Sequence, residues 1–288
     1  ANRMDAVRVA EEYSMIDVIS RGRLEMGFVK ASPFEVTPAN SNPATLQERF
    51  WEAHDLILKA MTTHDGPFNW EGDHFQYRQV NVWPRPYQEP HPPVWMTVSS
   101  PGSAKLVGEK GYVIASLNTG YAATPTIFDT YRKSANAAGH EPSPDRFAYL
   151  AIVGVGETEE EGRRRADQIL DYSRTTPRAA HHFFFPPGYV PPEVLGREMR
   201  SPSTRMVTLR DGSQTVMQTG SVDEYINAGI AFAGTPDTVY AQIKEFYDHV
   251  GGIGHLLMMG QGGHISHEDT VDNLTLFSKE VLPRLAEL

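Results

Sequence analysis

Residues Val94–Gly111, VWMTVSSPGSAKLVGEKG, decide how this chain is read. Val94 to Val98 is a short apolar run, as expected of a strand buried on both faces. Ser99 and Ser100 end it, and Pro101 opens a helical pattern that runs to Lys110-Gly111. Serine is a preferred N-cap, and proline suits the first helical position because no amide donor is needed there. Ser103 falls in the first turn. The stretch therefore reads as strand, tight turn and helix start, with free amide groups and three hydroxyls gathered at one place. Unpaired N–H groups and the positive end of the helix dipole both favour an anion. A capped helix that binds nothing has the same local sequence, so the surrounding pattern has to choose between the two.

On the N-terminal side, Asp5 to Ser20 carries Ala6, Val9, Ala10, Tyr13, Ile16 and Ile19 at helical spacing, with Gly22 as the stop. Leu24 to Val29 is a strand, ended by Lys30, and a proline-containing loop covers Ala31 to Ser41. Asn42-Pro43 starts the next helix, whose apolar face is Leu46, Phe50, Ala53, Ile57 and Ala60. Phe68 to Val82 is an extended excursion turning at Glu71-Gly72-Asp73, and WPRPYQEPHPP leads into Val94.

On the C-terminal side, strands are expected at Tyr112 to Leu117, Phe147 to Val155 and His255 to Met259. Helices are expected at Pro125 to Ala138, Glu157 to Tyr172, Thr235-Pro236 onward and Thr270 to Leu285. Val239, Ile243, Phe246 and Val250 form the buried face of the Thr235 helix. Residues 175–229 break the rhythm with His181-His182, Phe183-Phe184-Phe185 and several prolines, and read as an insertion or lid within a single domain, 1–288. Helix and strand alternate with no paired-hairpin region of any size, which argues for a parallel sheet with helices outside it. Five strands are legible, whereas a closed parallel barrel needs eight.

Composition narrows the function. The chain has 288 residues, a formal charge of −10 and no cysteine. The acidity argues against a nucleic-acid surface, and the missing thiols exclude disulfides, thiolate metal sites and cysteine nucleophiles. No apolar run approaches the ~20 residues that span a bilayer. A cytoplasmic protein is the expectation.

Working residues of parallel barrels sit on loops at the C-terminal strand ends. Here these are Lys30–Ser41, Ser99–Ser103, Asn118–Tyr121 and Gly260–Gly263, together with the insertion. Lys30 is a cation at a strand end and a natural partner for an anion at the serine turn. Gly154-Val155-Gly156 lacks the third glycine of a dinucleotide fingerprint, because Glu159 stands there. His264 and His267 share a helical spacing but have no third ligand nearby in sequence, so no metal site is expected. No phosphate loop and no Gly-x-Ser-x-Gly nucleophile turn is present.

Six segments occur in order: Val7–Ala31, VRVAEEYSMIDVISRGRLEMGFVKA; Arg49–Met61, RFWEAHDLILKAM; Phe68–Pro86, FNWEGDHFQYRQVNVWPRP; Pro92–Gly111, PPVWMTVSSPGSAKLVGEKG; Gly234–Val239, GTPDTV; and Leu276–Leu288, LFSKEVLPRLAEL. Together they resemble the luciferase-like flavin-dependent monooxygenases, a family that includes bacterial luciferase and many two-component oxygenases. The resemblance implies an α/β fold, a TIM-barrel-like parallel (β/α)8 architecture that binds FMN at its C-terminal face. It places Lys30 where bacterial luciferase has an arginine near the FMN phosphate. Ser99, Ser100 and Ser103 stand where it has a glutamate, a serine and a threonine. Val29 occupies the place of its reactive cysteine, so light emission on that pattern is not expected.

The family also carries a stretch ahead of the helix that starts here at Asp5. That stretch holds the first three strands and a histidine pair important for catalysis in luciferase, so the catalytic residues are expected to precede Ala1. The resemblance thus implies a monooxygenase that uses O₂ and reduced FMN, the latter supplied by a separate flavin reductase, on a small organic substrate. A sheet with five of eight barrel strands would leave open edges and an exposed side, so a homodimer is the expectation. This chain alone is expected to lack turnover. Two alternatives stand beside it: a non-catalytic flavin-binding or partner subunit, and an oxidoreductase that uses deazaflavin in place of FMN. His181 and His182 are the first candidates should another catalytic group be required.

Overall fold

The computed structural model describes residues 5–36, 41–175, 181–200 and 206–288. The chain falls into two compact units. One comprises Ala1–Met96 with Ala179–Ser203, and the other Thr97–Arg178 with Thr204–Leu288.

The first unit opens with helix α1 (Ala6–Ser20), capped by the Asp5 side chain, which accepts from the Arg8 amide at 3.0 Å. Its buried face is Ala6, Ala10, Ser14 and Asp17. Ile16 and Ile19, expected inside, are 45% and 73% exposed. The reason is Asp17. Its carboxylate is buried and accepts from the Gln88 amide and from Gln88 Nε2, both at 2.8 Å, which ties the proline-rich loop to α1. Strand β1 (Met26–Phe28) is followed by α2 (Pro33–Val36) and α3 (Leu46–Thr62). All five apolar residues expected on the α3 face are buried. Phe28 meets buried His54 edge-on at 5.3 Å.

The extended excursion is an antiparallel pair, β2 (Phe68–Glu71) and β3 (Gln76–Val80). Hairpins are thus present after all, and a residue of α3 holds this one. The Glu52 carboxylate accepts from Trp70 Nε1 at 3.0 Å and from the His74 and Phe75 amides at 2.9 Å each. Burial would raise the Glu52 carboxyl, but these three donors outweigh it and hold it below its usual value. A Cβ at Gly72 would collide with this carboxylate. Strand β4 (Val94–Val98) pairs in parallel with β1, Phe28 opposite Met96, and carries the chain into the second unit.

The second unit begins with α4 (Pro101–Glu109), then β5 (Val113–Leu117), α5 (Gly120–Ala137), β6 (Phe147–Val155) and α6 (Glu159–Thr175). Helix α5 starts five residues before the expected Pro125 and takes that proline inside its second turn; the Tyr121 carbonyl, which the proline cannot serve, accepts from His249 Nε2 at 3.1 Å. Of the insertion, α7 (His181–Phe184) and α8 (Pro192–Arg200) belong to the first unit. A second hairpin, β7 (Met206–Thr208) with β8 (Gln214–Val216), and α9 (Val222–Asn227) belong to the second. Residues 176–180 and 201–205 of the insertion, and 37–40 of the loop after β1, lie outside the described residues.

A sixth parallel strand follows, β9 (Ala231–Gly234), whose four small or aromatic residues escaped the sequence pattern. The chain closes with α10 (Pro236–Val250), β10 (His255–Met259), α11 (His267–Leu276), a π-helical turn and α12 (Leu282–Leu285). The buried face of α10 is the expected one, Val239, Ile243, Phe246 and Val250. The long strand β6 organises this unit. In parallel it pairs β5 from Phe147 to Leu150, β10 from Ala148 to Ile152 and β9 from Ile152 to Val155.

The hairpin and α9 each contribute a side chain to the core. Val207, Tyr225 and Ala228 pack with Ile152, Ala166 and Ile169 in one buried cluster. At the same end, Arg165 is 2% exposed and binds the Val155 carbonyl at 2.8 Å, Glu161 at 2.7 Å and Asp269 at 3.0 Å. Arg164 forks onto Asp269 with two bonds of 2.8 Å, so α6 and α11 are fastened together.

Candidate functional site at the C-terminal strand ends

In the second unit the strand end of β4 is built as the sequence suggested. Ser100 has extended backbone, φ −149° and ψ 154°, and caps α4 by accepting from the Ser103 amide at 3.4 Å. The two hydroxyls lie 2.9 Å apart, and Ser103 Oγ donates to the Ser100 carbonyl at 3.0 Å. Ser99 and Ser100 are exposed and Ser103 is half-buried. No acidic residue stands in the first turn of α4, and a Cβ at Gly102 would meet nothing within 4 Å. The turn is open, uncharged and rich in donors, which is the donor set a phosphate requires.

The start of α10 offers the contrast. There the Glu159 carboxylate already accepts from the Thr235 amide at 3.3 Å and its hydroxyl at 3.1 Å, and binds the Thr238 hydroxyl as well. That helix start is filled by the chain's own anion. Burial raises the Glu159 carboxyl, but the hydroxyls of Thr238 and Thr235 and the Thr235 amide pull it below its usual value.

Lys30 lies in the first unit, two residues beyond the end of β1. It is half-buried, its Nζ 5.8 Å from the centre of the Tyr189 ring. Phe184 packs edge-on against Phe34 of α2 at 5.0 Å. The first half of the insertion therefore touches the loop that carries Lys30. Val29 is 48% exposed. The side chains of His181 and His182 lie outside the described residues.

A second feature occupies the ends of β5 and β10. A cavity of about 520 Å³ is lined by Leu117, Asn118, Leu150, Tyr172, Met259 and Gln261, among others. Asn118 and Gln261 come from two of the strand-end loops named from sequence, but neither residue stood out there. The signal was the Leu-Asn-Thr-Gly run after β5, where Asn118 and Gly120 both take positive φ, 53° and 65°. Tyr149 braces this turn from beneath: its hydroxyl accepts from the Gly120 amide at 3.0 Å and donates to the Gly229 carbonyl at 2.7 Å. Burial pushes its phenol well above the usual value.

The rejected motifs have structural uses. Cβ atoms at Gly154 and Gly156 would collide with Gly162 or its neighbours in α6, and one at Gly162 with Gly234, so these glycines allow α6 to sit directly on β6 and β9. His264 pairs with Asp171 at 3.4 Å. Among the described residues no group of three or more His, Asp or Glu side chains is arranged to hold a metal ion. No helix of the described residues is long and apolar enough to cross a membrane.

Residues 1–252 match the family described as luciferase-like monooxygenase. The chain belongs to this family. Within it, a protein y4wF of Sinorhizobium fredii is 30% identical over 156 residues, 54% of this chain and 45% of that protein. The FMNH₂-dependent dimethylsulfone monooxygenase of Pseudomonas putida is 24% identical over 285 residues, 97% of this chain and 70% of that one. The alignment with y4wF thus spans less than half the length of that relative. Among solved structures, the oxygenating constituent of 3,6-diketocamphane monooxygenase from Pseudomonas putida, in complex with FMN, superposes with a TM-score of 0.70. It is 20% identical, over 97% of this chain and 76% of that one, which is a likeness of fold. The α/β fold of the luciferase-like family, expected from the six sequence segments, is therefore the fold of this chain.

Proposed function

We propose that this luciferase-like chain is the oxygenase part of a flavin-dependent monooxygenase that uses reduced FMN and O₂ to oxygenate a small organic substrate. The observation that carries the reading is the first turn of α4: open, free of acidic residues and presenting the hydroxyls of Ser99, Ser100 and Ser103. This donor set suits the FMN phosphate, and Lys30 is the cation proposed to complete it. The family match and the flavin-dependent relatives point the same way.

Bound reduced flavin supplies the electrons that activate O₂. The protein's share is to hold the phosphate, to orient the substrate and to keep water from the reacting centre. The apolar side chains of Leu117, Leu150 and Met259 serve the last of these tasks. A flavin reductase, a homodimer and a cytoplasmic location belong to the same proposal.

The test supplies the chain with reduced FMN and ¹⁸O₂ and offers dimethyl sulfone and decanal. Label recovered in an organic product supports an oxygenase. Tight FMN binding with hydrogen peroxide as the sole product favours the flavin-binding partner subunit. Anaerobic titration with a reduced deazaflavin in parallel decides which cofactor the site prefers.

A further inference from the structure

We propose that the cavity at the ends of β5 and β10 takes an uncharged, largely apolar molecule bearing one O–H or N–H donor, and that Asn118 orients it. As a substrate site this rests on the oxygenase reading; as a binding site it stands on the geometry alone.

The walls make the first half of the argument. In the parallel register Leu117 lies opposite Leu150, and Met259 opposite Ile152, so one face of the sheet presents aliphatic and thioether groups to the cavity. Leu274 and the Tyr172 ring complete it. Among the described residues, no Asp, Glu, Lys, Arg or His lines the cavity. An anion or cation entering here would lose its hydration and gain no counter-ion, which disfavours charged ligands strongly. At about 520 Å³ the space suits a small organic molecule.

Asn118 makes the second half. Its side-chain oxygen is buried and has no hydrogen-bond partner among the described residues. Its position is fixed all the same. The Asn118 amide donates to the Leu150 carbonyl at 3.3 Å, and φ is +53°. Behind it the hydroxyls of Ser116, Thr119 and Thr124 form a chain with spacings of 2.6 and 2.7 Å. An acceptor held this firmly without a donor is costly, and a ligand that brings a donor removes the cost. The amide torsion χ2 is soft, so the group can turn to meet such a ligand. An ether or ester of the same shape would leave the acceptor unpaired.

Three probes of one shape test this by calorimetry on the full chain: 4-propylphenol, 4-propylanisole and 4-propylbenzoate. The phenol should bind at least tenfold more tightly than either of the others. Asn118→Gly keeps the left-handed backbone and removes the amide, and should bring phenol and anisole to within twofold of each other. Leu150→Trp fills the cavity and should abolish phenol binding. The proposal is overturned if the benzoate binds as well as the phenol, if Asn118→Gly retains the tenfold preference, or if no phenol binding is seen. An FMN titration of the same samples separates the two readings. Phenol binding without FMN binding supports the cavity assignment and removes the oxygenase reading, whereas FMN binding without phenol binding does the reverse.

Discussion

Ser100→Asp separates the two tasks assigned to the start of α4. As an N-cap, aspartate is as good as serine, because its carboxylate can accept from the same Ser103 amide. Helix stability should therefore change by less than about 0.5 kcal/mol, and a negative charge near the helix N-terminus is itself favourable. As a phosphate ligand, aspartate is the wrong charge. The hydroxyls of Ser100 and Ser103 are 2.9 Å apart, so a phosphate bonded to both places its oxygens within about one hydrogen bond of position 100. Two unit charges ~5 Å apart in a medium of effective dielectric ~20 repel by roughly 3 kcal/mol. Exposure of Ser100 reduces this to about 1–2 kcal/mol, or about 5–30-fold in affinity. The assay is anaerobic titration with reduced FMN and with reduced riboflavin, which lacks the phosphate. FMN should weaken by that factor, riboflavin should hold, and the gap should shrink in high salt. Equal losses for both flavins, or none for FMN, would refute the phosphate assignment. A lowered Tm together with the affinity loss would mean that the cap, not the charge, was disturbed.

The remaining expectations concern the frame that positions the site. Arg165→Ala should cost about 3–5 kcal/mol in urea unfolding, since it leaves Glu161 and the Val155 carbonyl without their buried donor. The Asp269 carboxyl is held well below the usual carboxylate range, first by Arg164, then by Arg165 against the effect of burial. Its contribution is therefore fully present above its ordinary value of 3.8 and is lost as pH falls below that; Asp269→Asn should flatten the acid limb of a Tm-versus-pH curve, and an unchanged limb would count against the network. Glu52→Gln should lower stability by roughly 1–3 kcal/mol, because an amide sets one N–H group against the Trp70, His74 and Phe75 donors; differential scanning calorimetry reads the change. Gly108→Ala should destabilise despite the better helix propensity of alanine, by about 1–2 kcal/mol, as the new methyl meets the Tyr131 carbonyl at 2.7 Å and the Ser134 hydroxyl; equal stability would mean that α4 and α5 can separate freely.

The sequence by itself determined the parallel α/β class, five strands, the α3 and α10 faces, the cap at Ser100 and the position of Lys30 after a strand. These are local matters. Apolar runs, 3.6-residue spacing and a serine-proline helix start are imposed by nearest neighbours, and they survive whatever packs on them. Tertiary structure alone decided the rest. Ile16 and Ile19 share the helical period of α1, yet the buried face passes through Ser14 and Asp17, because a loop more than sixty residues away supplies the donors of Gln88. The Glu52 carboxylate holds a hairpin that no periodicity reveals, since its partners come from strand β2 and the turn that follows it, well beyond its own helix. The insertion read as one segment but divides between two cores: Phe184 goes to α2, and Val207 and Tyr225 go to α6. Asn118 was one polar residue in one strand-end loop. Only pairing of β5 and β10 with the same strand, β6, put an unpartnered acceptor beside Leu150 and Met259, and so turned three separate stretches of sequence into one cavity.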